Sequence, residues 1–79
     1  MTNEKIIKTL TPIFQDVFDN ENLVINQSSS TENIDGWDSL NHIYLVVAIE
    51  KVFKIKFSAE EILNWDSVDQ IISSILEKQ

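Results

Sequence analysis

The sequence has 79 residues, no cysteine and a formal net charge of -7, from 13 acidic and 6 basic side chains. A chain of this length forms one small domain, residues 1–79, with a modest core, so a deep enzyme active site is hard to build from it. Without cysteine, disulfides and thiolate metal sites are excluded. All six basic residues are lysine. This composition argues against nucleic-acid binding, which uses clustered basic side chains that usually include arginine, and it suggests partners with basic docking patches.

Membrane and secretory roles have no support in the sequence. No apolar run approaches the ~20 residues that a membrane span needs. The N-terminus, MTNEKIIKTL, lacks the continuous apolar segment of a secretory signal. We therefore expect a cytoplasmic, monomeric protein without a membrane partner.

The first segment has the pattern of an amphipathic helix, since apolar residues recur at spacings of three and four. Thr2 or Asn3 can cap its start, and Glu4 suits the first turn. Pro12 interrupts the helix because it lacks an N–H and clashes with the preceding turn. A new helix that begins after Thr11 is the alternative. Because the apolar stripe keeps its phase across the proline, we predict one helix kinked at Pro12. The stripe consists of Ile6, Ile7, Leu10, Ile13, Phe14, Val17 and Phe18.

The segment from Asp19 to Asp38 has no sustained period and contains Gly36, the one glycine of the chain. Loops of this length in compact domains are usually functional or disordered. Several apolar side chains can attach the loop to a helical bundle, so we predict an ordered connection. They are Leu23, Val24, Ile25, Ile34 and Trp37.

The strongest helix prediction covers Ser39 to about Lys54, which has neither glycine nor proline. Asp38 precedes it as an N-cap. Ser58 and Glu61 form a capping-box pattern that opens a short helix through about residue 63.

Ser67 and Gln70 form a second capping-box pattern, which opens the last helix. The predicted fold is therefore all-α: a four-helix bundle with three longer helices, a short third helix and a long first loop. The apolar stripe of the last helix is Val68, Ile71, Ile72, Ile75 and Leu76.

The tripeptide Trp-Asp-Ser occurs twice, at residues 37–39 and 65–67, each time at a predicted helix start. At Ser67 the capping box would occupy the hydroxyl. At Ser39 the residue three positions later is His42, so Asp38 is the expected cap and the Ser39 hydroxyl is free. A phosphodiester on Ser39 would lie at the positive end of a helix. The alternative is that both serines merely begin helices.

Residues 35–62, DGWDSLNHIYLVVAIEKVFKIKFSAEEI, resemble the acyl carrier protein family. That family has Asp-Ser-Leu at the start of its second helix, here Asp38-Ser39-Leu40, and a Glu-x-x-Phe element that ends it, here Glu50 to Phe53. The helix order and the long first loop are also similar, so the resemblance covers nearly the whole chain.

The resemblance implies that Ser39 receives 4′-phosphopantetheine from coenzyme A through a phosphopantetheinyl transferase. The thiol of this arm would hold acyl cargo as a thioester, although the protein itself has no cysteine. The implied partners are the transferase and the enzymes that load and transfer acyl groups. The carrier itself would have no catalytic residue.

The second predicted helix has two apolar faces at 100° per residue. The face expected in the core contains His42, Leu45, Val46, Ile49, Val52 and Phe53. The opposite face contains Leu40, Ile43, Tyr44 and Val47, with Lys51. Leu40, Ile43 and Val47 either pack under the first loop or belong to a docking surface that this face forms beside Asp38 and Ser39. The resemblance favours docking, because family members meet their partners through this helix.

The charges of this helix depart from the family pattern. Common fatty-acid carriers have acids where this chain has Asn41, Tyr44 and Lys51, and of the family's acids Glu50 remains. We therefore expect a carrier dedicated to a specialised pathway rather than the general fatty-acid carrier.

Three other functions stay open at this stage. An aminoacyl or peptidyl carrier usually has another residue, such as histidine, before the serine, so Asp38 favours acyl cargo. An unmodified helical interaction module would share only the fold. A small hydrolase using Ser39 and His42 has nothing to orient the imidazole, and His42 is expected to be a half-buried packing residue. No EF-hand spacing is present, so we predict no metal site.

Overall fold

The computed structural model describes residues 2–78 and contains four α-helices. They are α1 (Asn3–Val17), α2 (Ser39–Phe53), α3 (Ala59–Asn64) and α4 (Val68–Glu77). Within these residues, the one β-type contact is an isolated antiparallel bridge between Ser30 and Ser67. The predicted all-α architecture, with a short third helix and a long first loop, is confirmed. None of the four helices is long and apolar enough to cross a membrane.

Helix α1 is one continuous helix with Pro12 inside it, as predicted. The Thr2 hydroxyl oxygen accepts a hydrogen bond from the Lys5 backbone N–H at 3.2 Å and caps the start. Thr11 does not begin a new helix, because its hydroxyl donates back to the Ile7 carbonyl at 2.7 Å. The kink at Pro12 stays a prediction.

The core lies where α1, α2 and α4 bring their apolar faces together. Spacings of three and four residues place these side chains on one side of each helix. Helix α3, by contrast, has no buried residue. The side chains with no exposed surface include Leu10 and Phe14 of α1, Leu45 and Ile49 of α2, and Ile71 and Ile75 of α4.

A continuous row of rings crosses this core, with neighbouring centroids 4.6 to 6.1 Å apart. Most of the contacts are tilted or edge-to-face, the arrangements that aromatic rings prefer. Two of its members come from the Trp-Asp-Ser repeats, which the row therefore joins to each other. In order, the aromatic row is Phe18, Phe14, Trp37, His42, Trp65 and Phe57.

The first loop is ordered against the bundle, as predicted. Ile25, Ile34 and Trp37 are buried, and Leu23 packs partly against the core. The prediction was wrong for Val24, which is 80% exposed, because the backbone cannot turn three consecutive apolar side chains to the same side.

Backbone hydrogen bonds attach the loop to the start of α4. The Thr31 N–H donates to the Asp66 carbonyl at 3.0 Å, and the Val68 N–H donates to the Ser29 carbonyl at 2.8 Å. These bonds flank the bridge between Ser30 and Ser67.

Three of the four predicted caps are confirmed, including that of Thr2 at the start of α1. The Asp38 carboxylate accepts from the Asn41 N–H at 2.9 Å and caps α2. Ser58 and Glu61 form a complete capping box at the start of α3.

The predicted capping box of Ser67 and Gln70 was wrong. The Ser67 side chain makes no capping hydrogen bond, and the Gln70 side-chain oxygen accepts from the Asp66 N–H at 2.6 Å instead. The physical reason is the backbone bridge to Ser30. It holds the Ser67 backbone against the first loop and brings the Asp66 N–H within reach of the Gln70 side chain.

The two aspartates of the repeats provide a matched test of this difference. We expect Asp38→Ala to lower the free energy of unfolding by about 1 kcal/mol, the usual cost of an N-cap. Asp66→Ala should leave it nearly unchanged, since that carboxylate caps no helix. Urea denaturation followed by circular dichroism measures both, and equal losses in the two variants would contradict the assignment of the cap.

Glu61 holds the start of α3 in two ways. Its carboxylate accepts from the Ser58 N–H at 2.9 Å and from the Lys78 ammonium at 3.0 Å. The pKa of Glu61 is lowered from its ordinary value of 4.5, first by the Ser58 backbone hydrogen bond and next by Lys78. Because the folded-state pKa is the lower one, the stabilisation is complete above about pH 5 and is lost as the pH falls through the folded-state pKa.

Glu61→Gln keeps an oxygen for the Ser58 N–H but cannot ionise. We expect this variant to melt a few degrees below the wild type at pH 7 and to lose less stability than the wild type between pH 5 and pH 3. Thermal denaturation over that range measures the difference. Glu60→Gln, at the exposed neighbouring position, is the control, and an identical pH profile for Glu61→Gln and the wild type would refute the role of the carboxylate.

Candidate functional site

Ser39 is the first residue of α2, and its side chain is exposed. It lies on the edge of an open groove of about 460 Å³, which we call the Ser39 groove. The groove runs between the start of α2 and the end of α3. Its walls include Ser39, His42 and Ile43 of α2, Ile62 and Leu63 of α3, and the two tryptophans, Trp37 and Trp65.

The floor of the groove is organised by His42, as a pair of hydrogen bonds shows. The Trp37 indole N–H donates to His42 Nδ1 at 2.9 Å, and His42 Nε2 lies 2.8 Å from the Ile62 carbonyl oxygen. A carbonyl oxygen can only accept, so Nε2 carries the proton and Nδ1 is the acceptor. We call these two bonds the His42 bridge. It connects the first loop, α2 and α3, and His42 is half-buried as predicted.

The His42 bridge leaves the imidazole without a free nitrogen. Within residues 2–78 the Ser39 hydroxyl makes no hydrogen bond to His42, and both ring nitrogens point to other partners. The geometry therefore gives the hydrolase hypothesis no support. The described residues also contain no cluster of side chains that could hold a metal ion.

The two Trp-Asp-Ser serines differ in their surroundings. Ser39 is exposed at the Ser39 groove, whereas Ser67 is half-buried and bridged to Ser30. The capping argument from the sequence was wrong for Ser67, yet the two serines remain distinct because Ser39 is exposed and Ser67 is half-buried.

The tryptophan of the second repeat also lies at the groove. Trp65 is 4% exposed, and its indole N–H donates to the Ser74 hydroxyl at 3.0 Å. It packs against the bundle and lines the groove.

The outward side of α2 is apolar and open to solvent. Leu40, Ile43, Tyr44 and Val47 are 54% to 59% exposed, and Lys51 is exposed beside them. These five residues form the outer α2 face. They do not pack under the first loop, so that alternative was wrong.

The inward side of α2 matches the prediction at five of its six positions. Leu45, Val46 and Ile49 are buried, and His42 and Phe53 are half-buried. Val52 was placed wrongly, since it is 51% exposed. At the last turn of α2, Phe53 takes the position against the core and Val52 lies beside it in solvent.

Glu50, the one acid within α2, has a structural role that the sequence did not reveal. One carboxylate oxygen accepts from the Phe57 N–H at 2.9 Å, and the other lies 3.8 Å from the Lys56 ammonium. The carboxylate is therefore turned toward the loop between α2 and α3, and the outer α2 face carries no acid.

Sequence reasoning also missed the groove wall from α3. Leu63 is 85% exposed, and its place opposite Ile43 depends on how α3 packs against α2. The pairing of Trp37 with His42 had one available signal, since the indole N–H of a buried tryptophan needs an acceptor and histidine lies five residues away.

Comparisons with known proteins agree with this geometry. No family model matches the sequence, and no curated protein matches it. The solution structure of a holo acyl carrier protein from Geobacter metallireducens superposes with a TM-score of 0.83 at 38% identity, over 91% of this chain and 83% of the other. A protein from Mycobacterium tuberculosis, described provisionally as an acyl carrier protein, superposes with a TM-score of 0.81 at 19% identity, over 91% and 96% of the two chains.

At 19% identity the second likeness shows the fold, whereas the first combines the fold with substantial sequence identity over most of both chains. The Asp-Ser-Leu at the start of α2, the short α3 and the long ordered first loop are consistent with that result. The chain belongs to the acyl carrier protein family and functions as a carrier protein of that family.

Proposed function

We propose that this acyl carrier protein holds its cargo on a 4′-phosphopantetheine arm attached to the Ser39 hydroxyl. Acyl carrier proteins generally bear this prosthetic group and work with acyl-handling enzymes. The observation that carries the proposal is the exposed Ser39 hydroxyl at the first position of α2, on the edge of an apolar groove.

The residues around Ser39 fit a phosphodiester. The Asp38 side chain occupies the Asn41 N–H, while other N–H groups of the first turn remain at the positive end of a 15-residue helix. A negative charge on the serine oxygen is favourable there. When bound, the arm supplies the thiol that the chain lacks, and an acyl group is held on it as a thioester.

Attachment requires a phosphopantetheinyl transferase as the first partner. The Ser39 oxygen would form a bond to the phosphorus that carries the pantetheine. The pyrophosphate bond of coenzyme A would break, adenosine bisphosphate would leave, and the serine proton would pass to a base of the transferase. The exposure of Ser39 meets the need for access to that enzyme.

Incubation with coenzyme A and a broad-specificity transferase tests the attachment. We expect the intact mass to rise by one arm in the wild type and in Ser67→Ala, and to stay unchanged in Ser39→Ala. Ser67→Ala is the matched control because it alters the same tripeptide in the second repeat. No mass gain in the wild type, or a gain in Ser39→Ala, would refute the proposal.

We further propose that partner enzymes dock on the outer α2 face together with Asp38. Exposed apolar patches often mark interaction sites, and this face lies next to Ser39. Because Glu50 is turned away and Lys51 is exposed, a partner that requires an acidic α2 would find neither the charge nor the hydrogen-bond acceptors it needs. This supports a dedicated carrier for a specialised pathway, and the cytoplasmic location stays a prediction.

Restoring the missing acids tests this proposal. We expect general fatty-acid elongation enzymes to act poorly on the loaded wild type. They should act at least about tenfold faster on the triple variant Asn41→Asp, Tyr44→Glu, Lys51→Glu, because tenfold corresponds to about 1.4 kcal/mol of improved binding. Steady-state elongation rates measure the change.

The control is the double variant Lys5→Glu, Lys8→Glu, which alters the net charge by the same amount on exposed positions of α1. Faster elongation in the control would assign the effect to overall charge. Efficient elongation of the wild type would contradict a dedicated carrier.

Acyl cargo is favoured over aminoacyl or peptidyl cargo by the residue before Ser39. That residue is Asp38, which is committed to capping α2. The groove walls also favour acyl cargo, since Ile43, Ile62 and Leu63 offer apolar surface to a cargo held at Ser39.

A further inference from the structure

The floor of the Ser39 groove is closed by aromatic side chains. Trp37 and Trp65 are 7% and 4% exposed, and His42 lies between them with ring centroids 6.1 and 6.0 Å away. Behind Trp37 lies Phe14, at 5.5 Å, and behind Trp65 lies Phe57, at 4.6 Å. The groove is therefore separated from the bundle interior by the aromatic row.

The His42 bridge also fixes the distance between α2 and α3. Helix α3 has no fully buried residue. Ile62 packs partly against the core, and the other polar attachment of α3 is the ion pair of the neighbouring residue, Glu61, with Lys78. A chain that passed from Ser39 into the interior would have to separate Ile62 from His42. That movement would leave the half-buried His42 Nε2–H without its acceptor, which is unfavourable.

The outer walls of the groove, in contrast, are open. Ile43 is 57% exposed and Leu63 is 85% exposed. A cargo in the groove would therefore remain partly in solvent and within reach of a docked enzyme.

We propose that His42 is a specificity-determining residue: the His42 bridge closes the bundle interior to the cargo and confines its apolar part to the open groove. The cargo class that fits is a short acyl group, and a long alkyl chain is not enclosed between the helices. This inference rests on the proposed function, because the cargo must be attached at Ser39.

The first test observes the bridge directly in loaded wild-type protein. The transferase is supplied with octanoyl- or hexadecanoyl-coenzyme A, and complete loading is confirmed by intact mass. Nuclear magnetic resonance then follows hydrogen exchange of the His42 Nε2–H, which the Ile62 carbonyl accepts, with the Trp65 indole N–H, bonded to Ser74, as an internal reference. We expect equal protection of the His42 Nε2–H in the unloaded and both loaded forms. Loss of that protection in the hexadecanoyl form alone would overturn the inference.

The second test compares melting temperatures across chain length. Enclosing two additional methylenes corresponds to a rise of about 5–10 °C in a domain of this size. We expect the octanoyl and hexadecanoyl forms of the wild type to melt within about 2 °C of each other, a gap smaller than burial of one methylene would give. In His42→Leu, which removes both bonds and keeps an apolar side chain, the hexadecanoyl form should melt higher by at least about 5 °C.

Ser74→Ala is the matched control, because it removes the hydrogen bond of the other groove tryptophan without separating α2 from α3. It should lower all melting temperatures and leave their dependence on chain length unchanged. If the melting temperature rises from the octanoyl to the hexadecanoyl form as much in the wild type as in His42→Leu, this inference is overturned, while the attachment at Ser39 is not. Absence of any mass gain would overturn the attachment at Ser39 and this inference with it. If His42→Leu does not fold, the exchange measurement on the wild type still decides.

Discussion

The hydrogen bonds of one histidine hold the functional end of this molecule together. His42 accepts from Trp37 of the first loop and donates to Ile62 of α3, so three segments that are distant in sequence meet on one side chain. Because the carbonyl of Ile62 can only accept, the neighbours select the ring tautomer with its hydrogen on Nε2. The floor of the groove and the contact between α2 and α3 depend on this arrangement.

Helix α3 shows why such polar contacts matter. It has six residues and buries none of them, and a helix that short is not stable by itself in water. Its N-terminal end is held by the Ser58 capping box and by Lys78, and its C-terminal end by His42. The hydrophobic core thus rests on three helices, and the fourth is attached to it by the partly buried Ile62, by hydrogen bonds and by an ion pair.

The sequence predicted the helices well because each has a clear apolar period and a local start signal. Asp38 and Ser58 cap their helices through contacts within three residues, and contacts of that kind can be inferred from spacing alone. The capping prediction for Ser67 was wrong because the conformation of this residue depends on Ser30, 37 positions away in the chain. The structural role of Glu50 was missed for a related reason, since its partners lie beyond the end of α2.

The candidate site was predictable in part. Ser39 and the apolar residues of the outer α2 face could be found from pattern and family resemblance, although attachment at Ser39 and docking on this face remain proposals. The groove could not be predicted from the sequence. Its residues Ile62, Leu63 and Trp65 reach it only because α3 and the following turn pack against α2. The exposure of Val52 and Val24 also depends on where neighbouring elements end, which helical periodicity does not encode.

The placement of the two tryptophans has a practical consequence. They are the only tryptophans in the chain, and both line the Ser39 groove in contact with the same imidazole. The intrinsic indole fluorescence of this protein therefore arises entirely from the walls of that groove. A group that enters or leaves the groove changes the surroundings of every emitting side chain, so the protein carries its own optical reporter and needs no attached dye.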